Sequence, residues 1–163
     1  MTAAPGRRTG EASITVAAPA ERVWALVTDV TRMGEWSPEN VGGEWLDGAT
    51  GPAVGARFKG HNRRGKTRWS TTCEVTEAEP GRSFVFVTGG TAKPDTWWRY
   101  RFEPMEGGAA TVVTESFELR KPVAGFSRWL TKVTTGVTDR HADMVEGVQA
   151  TLAALKAAAE AQR

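Results

Sequence analysis

Residues 14–45 read ITVAAPAERVWALVTDVTRMGEWSPENVGGEW, and this stretch decides the fold. Its first four residues, Ile14–Ala17, alternate in the manner of a β-strand. Pro19 then predicts the start of a helix that runs to Asp29, because the first N–H of a helix has no intrahelical partner and the proline ring already holds a helical φ. The stretch therefore predicts a strand followed at once by a helix.

That helix has one apolar stripe, which predicts that it packs against another part of the molecule. Glu21, Arg22 and Thr28 lie off the stripe, so they can face water. A second short helical turn is expected from Arg32 to Trp36, and it ends at Ser37-Pro38 because proline disfavours helix in the residue before it. The apolar stripe consists of Val23, Trp24, Leu26 and Val27.

The rest of the chain predicts more strands and one long helix. Apolar residues at three- and four-residue steps from about Val123 to Ala159 predict this C-terminal helix, with a bend at Gly136 because glycine weakens helices. Alternation and turn residues place the strands at about Asn40–Leu46, Ala56–His61, Thr67–Glu77, Ser83–Thr88, Thr96–Glu103 and Ala110–Leu119.

These elements predict an α+β fold in which a curved antiparallel sheet of about six or seven strands wraps around a long C-terminal helix. Two short helices follow strand one. This order, with its tryptophan and glycine placement, resembles the START-like, or Bet v 1-like (SRPBCC), helix-grip superfamily, and more narrowly a bacterial polyketide cyclase/dehydrase-type protein. The resemblance covers roughly Ser13 to Glu160. It implies a cavity between sheet and helix that binds a hydrophobic small molecule, but the fold does not choose among its many roles.

Composition bounds the remaining possibilities. The chain of 163 residues fits a single domain, expected at residues 11–163 after a flexible tail at 1–10. One cysteine, Cys73, excludes an internal disulfide, and no stretch approaches the roughly 20 apolar residues of a membrane span. We therefore expect a cytoplasmic protein without integral membrane association. Two histidines exclude a histidine-rich metal site, and no cofactor is expected.

The last predicted strand carries a candidate catalytic residue. If Val113 and Phe117 face inward, alternation places Glu115 inward between them. Burial would raise the pKa of this carboxyl and make it a proton donor or acceptor toward a ligand. The alternative is a shifted register, or a pair with an arginine such as Arg57 or Arg68, because carboxylates are rarely buried alone.

His141 is the second catalytic candidate. It lies on the apolar stripe of the last helix, four residues after Val137 and three before Met144, so it points at the sheet and could meet Glu115. A histidine beside a pocket carboxylate suits enolisation, dehydration or aldol-type cyclisation of a polyketide-like substrate. The alternative is a structural histidine that makes one satisfied hydrogen bond.

The chain's aromatic residues, including seven tryptophans, predict either a heavy core or an apolar pocket. The polar groups of such a pocket would be Tyr100, Thr71, Asn62 and Glu115. Plain core packing is the alternative for most of the aromatic residues. The predicted ligand-binding residues are Trp24, Trp36, Phe58, Trp69, Thr71, Phe86, Trp98, Tyr100, Phe117, Val137 and Met144.

A basic hairpin at residues 59–68 favours a third possibility, a protein-interaction module. Trp97 and Trp129 lie off the apolar stripes and could serve the same purpose. The alternative for the hairpin is a solvated turn that discourages edge pairing. Since the formal charge is only +2, no nucleic-acid partner is expected, and we expect a monomer or a homodimer.

Overall fold

The structure is a computed structural model that describes residues 9–120 and 140–161. This part of the chain forms seven strands, two helices and two short 3₁₀ segments. The strands are β1 (Thr9–Val16), β2 (Asn40–Trp45), β3 (Arg57–Arg64), β4 (Thr67–Glu79), β5 (Ser83–Thr88), β6 (Thr96–Met105) and β7 (Ala110–Leu119). The helices are α1 (Ala20–Thr28) and α2 (Arg140–Ala161), and the 3₁₀ segments are Val30–Glu35 and Glu106–Gly108.

The seven strands form one antiparallel sheet in the order β1-β7-β6-β5-β4-β3-β2. From β2 to β7, each strand pairs with the next one in the sequence, and β1 pairs with the free side of β7. With α1 and a 3₁₀ segment after β1 and a helix at the C-terminus, this is the predicted α+β helix-grip fold. The prediction of six or seven antiparallel strands is confirmed.

One face of the sheet, which we call the concave face, packs on α1 and α2. Period-two alternation selects its residues, so buried aromatic side chains project from the middle strands toward the helices. Helix α2 contributes the predicted stripe, whose described members Met144, Val148, Leu152 and Leu155 are all buried. The predicted stripe members Phe126, Leu130, Val133 and Val137, and the bend at Gly136, lie outside the described residues.

Helix α2 runs beside β1 and in the same direction. His141 bonds to the carbonyl of Thr9 near the beginning of both elements, and Lys156 donates to the carbonyl of Thr15 further along. The N–H of Ala17 donates to Glu160 at the end. The concave face near β1 and β7 therefore lies beneath α2.

Several details differ from the sequence predictions, including strand bounds by a few residues, and three of the differences have a clear physical reason. Strand β1 begins at Thr9, so Thr9 and Gly10 belong to the sheet and not to a tail, because they pair with the last residues of β7. Thr28 is 3% exposed and does not face water; its hydroxyl donates to the carbonyl of Trp24 at 2.9 Å, which satisfies it inside the protein. Strand β6 continues through Pro104, which pairs in register with Thr111.

Candidate ligand site

Glu115 lies on the concave face, as the alternation of β7 predicts. It stands opposite Tyr100 on β6 and Ala12 on β1, and it is 3% exposed. The Tyr100 hydroxyl donates a hydrogen bond to Glu115 Oε1 at 2.7 Å. Within residues 9–120 and 140–161, Glu115 Oε2 is buried without a hydrogen-bond partner. The site therefore holds one satisfied and one unsatisfied carboxyl oxygen.

Burial controls the charge of this pair. Loss of hydration raises the pKa of Glu115 to about 8, and the hydrogen bond from Tyr100 only partly opposes the rise. Burial, together with the neighbouring carboxyl, also raises the pKa of Tyr100 well above its ordinary value. Most of the Glu115 population is therefore protonated and uncharged at neutral pH.

The alternative of an arginine partner for Glu115 does not hold in the described structure. Arg57 projects from the opposite face of the sheet and pairs with Asp47 at 3.4 Å. Arg68 lies on that opposite face too, since it neighbours the inward Trp69 on β4. The partner of Glu115 is a neutral phenol.

His141 is anchored to the backbone of β1. Its Nε2 lies 2.8 Å from the carbonyl oxygen of Thr9. A carbonyl only accepts, so Nε2 carries the hydrogen of this bond. The imidazole also meets the ring of Phe117 edge-on, at 5.7 Å between centroids. Phe117 follows Glu115 by two residues on the same face, and the described hydrogen bonds of His141 and Glu115 go to separate partners.

The predicted aromatic residues of the sheet share the concave face with Glu115. Phe58 and Phe86 are buried and meet edge-on at 5.1 Å, and Phe117 is buried against Trp98 at 5.7 Å. Trp98 and Trp69 are only half-buried although they face inward. We call these five aromatic residues of the concave face the aromatic wall. Its phenylalanines are buried, whereas its two tryptophans are partly exposed.

The predicted lining residues outside the sheet have mixed positions. The indole N–H of Trp24 donates to the carbonyl of Ser83 at 2.8 Å, which ties α1 to the start of β5. Trp36 is buried in the core beneath the guanidinium of Arg32, 5.6 Å from its ring centroid, and Met144 is buried on α2. Val137 lies outside the described residues. Thr71 is half-buried on the concave face of β4.

Sequence reasoning missed an ion-pair cluster between the sheet and α2. Arg64 at the end of β3 bonds to Asp143 at 2.6 Å and to Glu39 at 3.4 Å. The hydrogen bond to Asp143 raises the pKa of Arg64. We call these three residues the Arg64 cluster. It holds the first turns of α2 to the basic hairpin, so part of the positive charge of that hairpin is neutralised within the chain.

A groove of about 390 Å³ opens elsewhere on the surface, around the turn between β4 and β5. Charged side chains dominate it, and none of the predicted ligand-binding residues lines it. The residues that line the groove are Glu77, Glu79, Arg82, Ser83, Arg101, Phe102 and Glu103.

Two further findings concern metals and membranes. Among the described residues, no three histidine, cysteine or acidic side chains come close enough together to hold a metal ion. No helix in the same part of the chain is long and apolar enough to cross a membrane.

A family model described as polyketide cyclase / dehydrase and lipid transport matches residues 7–160. The chain belongs to this family. The match spans nearly the whole sequence and confirms the narrower resemblance, to a polyketide cyclase/dehydrase-type protein.

Solved structures extend the comparison. The Polyketide_cyc-like protein Cgl2372 from Corynebacterium glutamicum is 36% identical, with 96% of this chain and 94% of that one covered and a TM-score of 0.59. The Zhui aromatase/cyclase from Streptomyces sp. R1128 shares the fold at 20% identity, with coverages of 94% and 93% and a TM-score of 0.66. A START superfamily protein from Mycobacterium smegmatis does so at 16% identity, with coverages of 96% and 100% and a TM-score of 0.66. No curated protein matches the chain.

Proposed function

We propose that this protein binds a small apolar molecule, aromatic, lipid or polyketide-like, between the concave face and α2. The observation that carries the proposal is the Tyr100–Glu115 pair, a buried polar group among aromatic side chains, with one oxygen that has no partner within the described part of the chain. The family description, which includes polyketide cyclases and lipid transport, supports the same kind of ligand.

The physical argument combines an apolar wall with one polar contact. Aromatic side chains provide large contact areas for a flat or chain-like molecule, and binding pockets add a few polar groups that orient it. A buried carboxyl oxygen without a hydrogen bond costs about 1–3 kcal/mol. A ligand oxygen or hydroxyl that reached Glu115 Oε2 would remove that cost.

The experiment uses two neighbouring tryptophans on opposite faces of β6. Trp98 belongs to the aromatic wall, whereas Trp97 lies on the other face beneath the guanidinium of Arg99. Native mass spectrometry of the purified protein and quenching of tryptophan fluorescence by a hydroxyanthraquinone and by palmitate measure binding. We expect Trp98→Ala to weaken binding at least about fivefold, by the loss of aromatic contact, and Trp97→Ala to leave it unchanged.

Two results would contradict this function. One is a wild-type protein that retains no ligand and binds neither probe. The other is equal weakening by Trp97→Ala and Trp98→Ala, because binding would then not depend on the concave face.

A second candidate function is cofactor-independent cyclisation or dehydration, with Glu115 and His141 as acid and base. The observation that favours it is the burial of Glu115 beside Tyr100, which raises the pKa of the carboxyl to about 8 and leaves it a proton to donate at neutral pH. In a dehydration, Glu115 would protonate the departing hydroxyl as His141 accepted the proton from the neighbouring carbon. Glu115→Gln and His141→Ala should then abolish turnover while ligand affinity is preserved; unchanged turnover would remove both residues from the mechanism.

The third candidate, an interaction module, has less support. The positive charge of the hairpin at residues 59–68 is partly neutralised by the ion pairs of Arg64 with Asp143 and Glu39. Trp129 lies outside the described residues. The cytoplasmic location, the monomeric or homodimeric state, and the absence of a cofactor and of a nucleic-acid partner stay predictions.

A further inference from the structure

A second polar group lies on the concave face, remote from Glu115 along the strands. It joins three neighbouring strands at their concave side chains: Asn40 on β2, Asn62 on β3 and Thr71 on β4. Asn40 Nδ2 donates to Asn62 Oδ1 at 3.4 Å, and Asn62 Nδ2 donates to Thr71 Oγ1 at 3.3 Å. We call this arrangement the amide relay.

A backbone group fixes the direction of the amide relay. The N–H of Gly42 lies 2.8 Å from Asn40 Oδ1, and an N–H can only donate. The Asn40 oxygen therefore faces Gly42 and its Nδ2 faces Asn62. Asn62 must then present its oxygen to Asn40 and its nitrogen to Thr71, so that Thr71 Oγ1 is an acceptor in this bond.

The Thr71 hydroxyl hydrogen is not used in the bond to Asn62. A hydroxyl that accepts one hydrogen bond still has its own hydrogen to donate. Among residues 9–120 and 140–161, the Thr71 hydroxyl takes part only in the bond from Asn62, and because Thr71 is half-buried its hydrogen is open to water or to a ligand. The amide groups of Asn40 and Asn62 therefore make the Thr71 hydroxyl an acceptor toward Asn62 and leave it able to donate to another group.

Two glycines shape the strands around the amide relay, Gly42 by its backbone conformation and Gly60 by the space it leaves. Strand β2 has a bulge between Asn40 and Gly42, where Gly42 adopts φ +151°, a conformation that favours glycine. Gly60 stands on β3 beside the relay, and a side chain there would bring its Cβ to 3.1 Å from Asn40 Nδ2. The missing side chain lets the Asn40 amide lie over the strand and reach Asn62.

The amide relay lies between the aromatic wall and the contact of the sheet with α2. Thr71 is followed on the same face of β4 by the buried Cys73, which pairs with Phe58. On β3, Asn62 is followed on the same face by Arg64, which meets Asp143 of α2. The Thr71 hydroxyl is therefore a polar point within the space proposed for the ligand.

We propose that Thr71 is a specificity-determining residue, whose hydroxyl donates a hydrogen bond to an acceptor oxygen of the ligand, such as a ketone, quinone or ester carbonyl. Asn62 and Asn40 are positioning residues that hold this hydroxyl in its donor state. The inference rests on the proposed binding function and adds to it a preference for ligands with a carbonyl oxygen.

The experiment compares two probes of nearly identical shape, fluorenone and fluorene, which differ by a carbonyl in place of a methylene. Binding is measured by tryptophan fluorescence. The wild-type protein should bind fluorenone about fivefold more tightly than fluorene, the size of one net hydrogen bond. Thr71→Val should remove the preference by weakening fluorenone binding alone, and Thr71→Ser should restore it. Thr72→Val, on the opposite face of β4, is the matched control and should keep the preference.

Asn62→Asp tests the direction of the amide relay. A carboxylate offers Thr71 an acceptor in place of a donor, so the hydroxyl hydrogen turns away from the ligand. The preference for fluorenone should fall although the hydroxyl is still present. A simple structural role for Asn62 would weaken both probes together and leave their ratio unchanged, which would overturn the assignment of Asn62.

The outcomes separate this inference from the proposed function. Equal affinity of the wild-type protein for the two probes, or a preference that survives Thr71→Val, would overturn the role of Thr71 and leave ligand binding intact. Failure of the wild-type protein to bind either probe or any hydrophobic ligand would overturn the proposed function and, with it, this inference.

Discussion

The Tyr100–Glu115 pair and the Arg64 cluster both lie where the sheet meets the helices, but they treat charge in opposite ways. Tyr100 and Glu115 are at most 5% exposed, and the carboxyl keeps its proton at neutral pH because burial raises its pKa. The side chains of Arg64 and Asp143 are 28% and 24% exposed, and they form a charged pair at 2.6 Å. Water at the rim stabilises charge, whereas the interior favours a neutral hydrogen bond. The neutral pair is therefore suited to ligand recognition, whereas the charged cluster is suited to holding α2 against the sheet.

The largest expected effect is the pH dependence that Glu115 gives to stability. Its folded pKa of about 8 lies above its ordinary value of 4.5, so the unfolded chain releases this proton first. The stability that Glu115 contributes by keeping its proton in the folded protein is fully present below pH 4.5. It is lost as pH rises toward 8, which lowers the free energy of unfolding by a total on the order of 5 kcal/mol. Glu115→Gln cannot ionise, so its stability relative to wild type should rise over the same range, measured by urea unfolding.

Glu118→Gln is a suitable control for that titration. Glu118 lies on the same strand but on the other face, where it pairs with Arg99 at the surface. Its substitution should leave in place the loss of stability that Glu115 causes between pH 4.5 and 8. Parallel profiles for wild type and Glu115→Gln would show that Glu115 is ionised in the folded protein, contrary to the comparison drawn above.

A middle-sized effect is expected from Tyr100→Phe. Removal of the phenol leaves Glu115 Oε1 buried without its hydrogen-bond donor, which should cost about 1–3 kcal/mol of unfolding free energy. The pKa of Glu115 should rise further, because the hydrogen bond from Tyr100 now lowers it. The pH series of unfolding curves measures both quantities. In a Glu115→Leu background the same change should cost little, and a full cost there would mean that the hydroxyl acts through other groups.

The smallest effect concerns the Arg64 cluster. Arg64→Ala should lower stability by roughly 1 kcal/mol or less, since the pair is partly exposed to water, and the loss should shrink in high salt. Urea unfolding at low and high salt checks this. Arg63→Ala is the matched control, because the Arg63 side chain is exposed and donates to the carbonyl of Gly65 in its own hairpin. Equal losses for the two variants would show that the ion pairs of Arg64 add nothing beyond the local contact that Arg63 makes.

The sequence predicted the elements well where turn residues bound them. Strands Ser83–Thr88 and Ala110–Leu119 match their predictions at both ends, because Pro80-Gly81 and Gly107-Gly108 mark the preceding turns. Alternation then placed Glu115 on the concave face. Its partner was also within reach, since Met105 pairs with Ala110 across the turn and counting back along both strands pairs Tyr100 with Glu115.

Other features of the site could not be read from periodicity. A helical stripe shows which face His141 occupies, but not that it meets the carbonyl of Thr9, a backbone atom in a segment that sequence assigned to a tail. Asn40 was missed for a related reason. Its inward position depends on a bulge, which shifts the alternation of β2 locally. Contacts with backbone atoms and irregular strands leave little trace in side-chain patterns.

The contacts between α2 and β1 have a consequence for association. Strand β1 is one edge of the open sheet, and such an edge offers unpaired backbone groups to any other extended chain. His141, Lys156 and Glu160 occupy backbone groups of this edge at Thr9, Thr15 and Ala17. The other edge, β2, is interrupted by its bulge. Helix α2 thus covers backbone groups of one edge strand, and the bulge makes the other edge strand irregular. Both features oppose the addition of a strand from a second molecule.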